Sequence, residues 1–302
     1  MKEDIKFSVI TPAYNRGELI GKAIQSLLDQ SYSNWEMVII DDGSIDNTRE
    51  VVESFEDPRI KYHYQDNQER SIARNNGIIK ASGEFICFLD SDDYYLPEHL
   101  ATFAEALQKQ DQFMGLLYAD GYLESGDKRK EVTFSYNPEK HPANLAFHSF
   151  FSSNGVCAHR SVFEKDLFYP QMKVMEDVHL WLRILMKHPF IYINKYTSVV
   201  VDHEGRGGTE FFAKSDKKSL DIYLSNVEDL FINHGLSNYV SQKEWNEFRI
   251  KRYYTFAFNN VWKKEFKEAI KLIAEIIKTS PRQAFTKRFF KLKKEFAVSL
   301  LR

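Results

Sequence analysis

Four times within the first hundred residues a short β-branched or aromatic run gives way to a helix-like stretch, and no other feature restricts the fold so narrowly. The runs Ile5–Thr11, Trp35–Ile40, Ile60–Tyr64 and Glu84–Leu89 are followed by Gly17–Asp29, Asp46–Phe55, Arg70–Ala81 and Pro97–Gln108 respectively. Four β-α repeats joined by short connections predict a parallel, doubly wound α/β sheet. Phe7-Ser8-Val9-Ile10 and Met37-Val38-Ile39-Ile40 are mostly apolar instead of alternating, as expected of strands covered on both faces. Three runs end in polar residues: Thr11-Pro12-Ala13-Tyr14-Asn15, Asp41-Asp42-Gly43-Ser44 and Asp90-Ser91-Asp92-Asp93. Ligands of open α/β sheets bind at the carboxyl ends of strands, so these loops are expected to line one crevice.

From about Phe113 the rhythm changes. Phe113–Leu123 and Lys130–Tyr136 read as antiparallel strands, helical or mixed segments run to Leu185, and Phe190–Ile193 and Thr197–Val201 are further strand candidates. After the loop His203–Thr209 the chain reads as helix, interrupted near Gly235 and Pro281. The expected organisation is a first part over 1–110, a second over 111–210 that shares its sheet, and a helical region over 211–302. At 302 residues, 43% hydrophobic and 15% aromatic, the chain can bury a sizeable core and is neither disordered nor collagen-like. Cys87 and Cys157 are too few for a disulfide framework or a cysteine metal cluster, which fits a reducing, cytoplasmic compartment. The charged opening Met1-Lys2-Glu3-Asp4 predicts no signal peptide, and no apolar window is long enough to span a membrane.

The tetrapeptide Asp90-Ser91-Asp92-Asp93 carries the most chemistry. Carboxylates crowded at a strand end repel one another and resist desolvation unless a cation or hydrogen-bond donors compensate, so Asp-x-Asp there invites a hard divalent ion. Mg²⁺ or Mn²⁺ held this way commonly takes substrate phosphate oxygens, and a nucleoside diphosphate is the natural third party. The plainer alternative is a turn in which aspartates cap the helix beginning near Pro97. A haloacid-dehalogenase-like phosphatase would place Thr or Val where Tyr94 stands, and a calcium loop starting at Asp90 would need Gly and Glu where Tyr95 and Ala101 stand. Asp41-Asp42-Gly43-Ser44 offers acceptors suited to a nucleobase imide, although Asp-Gly-Ser is also ordinary turn chemistry. Neither a Gly-x-Gly-x-x-Gly after the first strand nor a P-loop exists, which argues against dinucleotide oxidoreductases and P-loop enzymes.

Five ordered blocks now carry a resemblance. Thr11-Pro12-Ala13-Tyr14-Asn15, Trp35 to Thr48, Ala73-Arg74-Asn75-Asn76-Gly77, Ala81-Ser82-Gly83-Glu84-Phe85-Ile86 and Phe88-Leu89-Asp90-Ser91-Asp92-Asp93 resemble the nucleotide-sugar domain of family 2 inverting glycosyltransferases with the GT-A fold. The likeness covers roughly residues 5–110 and, more loosely, 150–210. It implies a Rossmann-like nucleotide-binding sheet continued into a mixed central sheet, followed here by a C-terminal helical extension. By the same resemblance Thr11, Ala13, Tyr14 and Asp42 line the nucleoside pocket with Asp42 on the base and Asp41 beside it. Arg70 or Arg74 lies near the diphosphate, with Arg74 alternatively only bracing its helix. Asp90 approaches the ribose or sugar, and Asp92 ligates the metal. The family also implies an acidic base in the second part, and Val174-Met175-Glu176-Asp177-Val178-His179-Leu180-Trp181-Leu182-Arg183 resembles its Glu-Asp…Trp-Leu-Arg segment. Inverting transfer removes a proton from the attacking hydroxyl, so Asp177 is assigned as base with Glu176 in support. An acidic pair in a first helical turn also suits the helix dipole with no catalytic role, and Trp181 fits core packing or acceptor stacking equally. His203 occupies the place where the family puts a further metal or diphosphate ligand. Arg206 could also approach phosphate, and the glycine-rich loop after His203 is expected to act as a lid.

The net charge of −2 hides an asymmetry. From Lys263 onward there are 12 basic residues against 4 acidic, a surplus of eight, so the preceding 262 residues carry a charge of about −10. Phe285, Phe289, Leu292, Phe296 and Leu300 recur at helical spacing among these cations, the pattern of an interfacial helix. An anionic membrane surface and a homodimer through the C-terminal helices are both compatible partners, whereas no nucleic-acid-binding fold accompanies the charge. The function expected from all this is transfer of a sugar from a nucleotide-diphosphate donor, UDP-linked by preference, to a glycan or lipid-linked acceptor in polysaccharide or cell-surface glycan synthesis. The alternatives are a phosphatase or nucleotidyltransferase with an Asp-x-Asp metal site, and a non-catalytic nucleotide- or glycan-binding module.

Overall fold

The computed structural model describes residues 5–149, 151–203, 216–281 and 290–292. The chain divides into two compact units, Met1–Asp202 and His203–Arg302.

The first unit is built on a nine-stranded mixed sheet. Its parallel part consists of β1 (Phe7–Ala13), β2 (Trp35–Asp41), β3 (Ile60–Tyr64) and β4 (Phe85–Phe88), in the spatial order β3-β2-β1-β4. Between these strands run α1 (Ile20–Leu28), α2 (Thr48–Glu53) and α3 (Glu69–Lys80). Every residue of β2 is buried, as two covered faces require, and the core gathers Phe7, Val9, Met37, Ile39, Phe85 and Cys87 with Ile20, Ile24 and Leu27 of α1. Gly77 lets α3 close onto β1: a Cβ there would lie 2.4 Å from Ile10 Cγ2.

After β4 come β5 (Tyr94–Tyr95), α4 (His99–Gln108), β6 (Leu116–Ser125), β7 (Lys128–Val132), α5 (Pro142–His148), β8 (Val156–His159), α6 (Glu176–Leu185) and β9 (Phe190–Val201). β8 inserts antiparallel between β4 and β6, and β9 pairs parallel with β6 and antiparallel with β5. Cys87 and Cys157 face each other across β4 and β8 as buried free thiols, and burial pushes the Cys157 thiol up.

The structure departs from the sequence reading in two places. The runs Phe190–Ile193 and Thr197–Val201 form one strand, with a register shift opposite Ala119 to Gly121 absorbing the polar residues between them. The two-residue β5 and the four-residue β8 leave too short a pattern for periodicity to find. Within the stretch read only as helical or mixed, Arg160–Glu164 is a 3-10 turn capped by His159 at the end of β8.

The second unit contains α7 (Lys217–Asn233), α8 (Gln242–Trp262) and α9 (Phe266–Thr279). Gly235 breaks the helical run with φ 76°, and a reciprocal Ser241–Glu244 capping box starts α8. Among the described residues no helix is long and apolar enough to cross a membrane. The expected lid beyond His203, with Arg206, and most of the expected tail helix, with Phe285, Phe289, Phe296 and Leu300, lie outside the described residues.

Candidate active site

The loops after β1 and β2 are tied together by hydrogen bonds across the carboxyl ends of the strands. Asn15 N donates to Ser44 Oγ at 2.8 Å, Arg16 N to Thr48 Oγ1 at 2.8 Å and Ile45 N to Asn15 Oδ1 at 2.9 Å. Asp42 N donates to Ala13 O at 2.8 Å. Thr11 and Ala13 are buried, and Tyr14 is 47% exposed. Asp41 is buried and accepts from Tyr62 Oη at 2.6 Å and Ser44 N at 2.8 Å. Burial and this bond push the Tyr62 phenol well up. Asp42 Oδ1 accepts from Gln65 Nε2 at 2.6 Å and Gln68 N at 2.9 Å, so its carboxylate is held from the β3–α3 loop.

The turn after β4 gathers the second group of acids. Asp90, Asp92 and Asp93 each bring a carboxylate oxygen within 4.8 Å of the others. Asp93 is buried, accepting Asn154 Nδ2 at 2.5 Å and Val201 N at 2.7 Å. Asn154 also accepts from Asp90 N at 3.1 Å and thus clamps both ends of the turn. Asp92 Oδ2 lies 4.0 Å from Arg16 Nε. Three hard oxygens at this separation, with cations placed beside two of them, fit Mg²⁺ or Mn²⁺ in chemistry and number.

Glu176 and Asp177 occupy the first turn of α6, directly after Met175, which is left-handed at φ 64°. Glu176 is buried and accepts from Arg74 Nη1 at 3.1 Å, with Arg70 Nε at 3.4 Å. Burial raises its pKa, the Asp177 charge adds to this, and the two guanidiniums oppose it without cancelling the rise. Arg74 is itself buried, and its Nη2 reaches Asp90 Oδ1 at 2.7 Å. It therefore bridges the β4 turn and the start of α6. Arg70, one helical turn earlier, is 47% exposed. Asp177 Oδ1 accepts from Val178 N at 2.7 Å, and Ser153 Oγ lies 3.5 Å from Oδ2. Trp181 Nε1 donates to Ser153 Oγ at 3.3 Å. Its ring is fully buried, edge-on to Phe88 at 5.2 Å and Phe168 at 5.6 Å, so Trp181 is core and not an acceptor platform.

The structure thus brings Arg74, Asp90, Asp92, Asp93, Glu176 and Asp177 into one linked group, and ties Thr11 through Asn15 to the Asp41–Ser44 loop beside them. His203 follows β9 by two residues and opens the second unit, so its assignment rests on the resemblance alone. Sequence reasoning missed Ser153 and Asn154, whose turn touches both acid groups. The one local signal is Gly155: a Cβ there would lie 2.3 Å from Ala119 O, so only glycine lets this turn press against β6.

Against known proteins, the family model "Glycosyl transferase family 2" matches residues 8–169. The chain is 32% identical over 196 residues to the Escherichia coli UDP-Glc:alpha-D-GlcNAc-diphosphoundecaprenol beta-1,3-glucosyltransferase WfgD, covering 64% of this chain and 74% of that protein. An uncharacterized glycosyltransferase of Rickettsia felis is 32% identical over 245 residues, and there the match spans only 38% of the relative's length. Among solved structures, S. aureus TarS 1–349 in complex with UDP-GlcNAc superposes with a TM-score of 0.61 at 18% identity, over 98% of this chain and 89% of that one. The mannosyltransferase PcManGT from Pyrobaculum calidifontis, in complex with GDP-Man and Mn²⁺, gives 0.59 at 15% identity over 99% and 86%. Both share the mixed sheet with a helical C-terminal region, the GT-A fold expected from the sequence. The chain belongs to glycosyl transferase family 2.

Proposed function

We propose that this protein is an inverting, metal-dependent glycosyltransferase that moves a sugar from a UDP-linked donor to a hydroxyl of a glycan or lipid-linked acceptor in cell-surface polysaccharide synthesis. The observation that carries the reading is the shared support of two acid groups: Ser153 lies against Asp177 while the adjacent Asn154 holds Asp90 and Asp93. A donor-binding turn and a proton acceptor fixed by one dipeptide suit a reaction in which both substrates meet. WfgD, whose name gives a UDP-linked donor and a diphosphoundecaprenol acceptor, and TarS with UDP-GlcNAc support the donor class. PcManGT with Mn²⁺ supports the cation.

In this reading Asp42 and its loop grip the nucleoside, Tyr14 covers it, and Arg70 supplies positive charge toward the diphosphate. Asp90 reaches the ribose or sugar while Arg74 holds its carboxylate in place. Asp92, with Asp90 and Asp93 beside it and His203 as a further proposed ligand, would hold Mg²⁺ or Mn²⁺, which would neutralise charge on the departing diphosphate. Asp177 removes the acceptor hydroxyl proton as that oxygen bonds the anomeric carbon. The carbon–phosphate oxygen bond breaks on the opposite face, and its electron pair leaves with the nucleotide. We place the enzyme on the cytoplasmic side, peripheral to the membrane or paired with a second copy. The test is thermal stabilisation by UDP-, GDP- and TDP-sugars with Mn²⁺ or Mg²⁺, followed by transfer assays. Asp177→Asn should retain nucleotide binding and lose transfer by about 10²–10⁴-fold. Undiminished transfer would remove Asp177 as the base, and no stabilisation by any donor with metal would remove the donor reading.

A further inference from the structure

We propose that α9 seats this protein on an anionic phospholipid bilayer through its outward face. Six residues of the helix are exposed: Lys267, Ile270, Lys271, Ala274, Ile277 and Lys278. Their spacing of three, one, three, three and one puts them on a single stripe. That stripe holds two isoleucines, an alanine and three lysines, and no acid. The helix satisfies its own packing elsewhere, through buried Ala269, Leu272 and Ile276. Ile270 at 56% and Ile277 at 44% exposure, two turns apart, lie outside that packing among the described residues. The acids Glu268 and Glu275 are half-buried beside the stripe, and Glu268 takes Lys271 Nζ at 2.5 Å.

Trp262, at the end of α8, adds a 71% exposed indole immediately before Lys263 and Lys264. Indole, isoleucine and lysine are the residues of a helix lying in a membrane interface, the lysine stems running along the apolar boundary and the ammonium groups reaching the headgroups. Charge selects the partner. Three lysines on the stripe, with Lys263 and Lys264 just before the helix, match an anionic surface and not a neutral one. Two isoleucines two turns apart are too small a patch for a stable protein–protein interface, but combined with lysines they suffice for reversible adsorption to a bilayer. None of this depends on the donor, the cation or the base.

The test uses the full chain and vesicles of phosphatidylcholine with or without phosphatidylglycerol. The protein should sediment with the anionic vesicles, release at high salt and ignore the neutral ones. Trp35, Trp181 and Trp245 are buried, so a blue shift of fluorescence on vesicle addition reads Trp262 alone. Lys267→Glu/Lys271→Glu/Lys278→Glu should lower partition by about 100-fold or more, since each lysine near an anionic surface contributes about fivefold. Ile270→Asn/Ile277→Asn should lower it by about tenfold or more. Unchanged thermal melting and donor binding in both variants separate a lost surface from a lost fold. The proposal fails if the parent chain does not bind anionic vesicles, if both variants bind as well as the parent, or if the substitutions instead abolish a concentration-dependent dimer in the absence of lipid.

Discussion

Replacing Arg74 by methionine keeps most of the side-chain volume and removes the charge that bridges Asp90 and Glu176. At an effective dielectric of about 20 the Arg74–Glu176 contact at 3.1 Å amounts to about 5 kcal/mol of attraction, partly offset by desolvation of both groups. The Asp90 contact is shorter, 2.7 Å, but that side chain is 34% exposed and screened by water, so it adds about 1 kcal/mol at most. Truncating one partner of a buried pair costs about 3–5 kcal/mol. Arg70 remains at 3.4 Å from Glu176, which puts the expected loss near the lower end of that range. The loss must depend on pH. A carboxyl whose folded pKa lies above its unfolded value stabilises the fold below the unfolded pKa, and that contribution disappears as pH rises through the folded pKa. Glu176 already lies on that side of its ordinary value of 4.5 through burial and the Asp177 charge, and losing Arg74 moves it further up. The deficit of Arg74→Met should therefore widen from about pH 5 to pH 8, because at low pH Glu176 takes a proton and no longer needs the guanidinium. Urea unfolding followed by circular dichroism at both pH values reads this directly. Adding Glu176→Gln should recover much of the loss at pH 8 and little at pH 5. A deficit equal at the two pH values, or below about 1 kcal/mol, would refute the view that Arg74 is held chiefly by its buried carboxylate.

Three further outcomes are expected. Asn154→Ala should cost about 1–3 kcal/mol by removing its two hydrogen bonds, to Asp93 Oδ2 and from Asp90 N, and should weaken stabilisation by Mn²⁺; unchanged metal response would separate the clamp from the cation site. Gly155→Ala should destabilise by about 1–3 kcal/mol or more because the new methyl meets the Ala119 carbonyl, and a melting temperature equal to the parent's would show that the turn can yield. Asp92→Asn should abolish the Mn²⁺-dependent rise in melting temperature, since a neutral amide oxygen is a poorer ligand for a hard cation than a carboxylate; a retained shift would move the ligand role to Asp90 and Asp93.

The parallel half of the sheet was legible because each strand is a buried apolar run closed by a polar loop, and β3 falls on Ile60–Tyr64 as read. The acids were legible for the same reason, since a strand end is where a carboxylate cluster needs explaining. What the sequence hid is contact across long separations. Asn154 holds Asp90 and Asp93 from more than sixty residues away, and Ser-Asn-Gly has no periodicity or charge to announce it. The sequence offered Arg70 or Arg74 near the diphosphate, with Arg74 alternatively bracing its helix, and left the choice open. Four residues apart on α3, they share a helical face in sequence, yet Arg74 is buried between two carboxylates and Arg70 reaches solvent. Burial, which pattern alone does not assign to a charged residue, separates the two: Arg74 bridges two carboxylates and Arg70 is 47% exposed.

Backbone strain connects these residues. Five non-glycine residues among those described have positive φ, and three of them immediately precede a charged member of the site: Asn15 at 51° before Arg16, Glu69 at 74° before Arg70, and Met175 at 64° before Glu176. Asparagine tolerates this conformation, but glutamate and methionine gain nothing from it and each bears about 1 kcal/mol or more. Met175 cannot be explained by capping, since its side chain makes no cap hydrogen bond to α6. The left-handed residue instead turns the chain abruptly into the helix, so that Glu176 enters the first turn already buried against Arg74 and Asp177 follows beside Ser153. Glu69 does the same for the first turn of α3, whose next residue is Arg70. Such strain persists only where surrounding contacts over-determine the backbone; beside Met175 lies the Glu176–Arg74 ion pair, and at Asn15 the hydrogen bonds to Ser44 and from Ile45. The buried guanidinium of Arg74 is thus both a partner of the acids and part of what holds α6 at the angle that presents them.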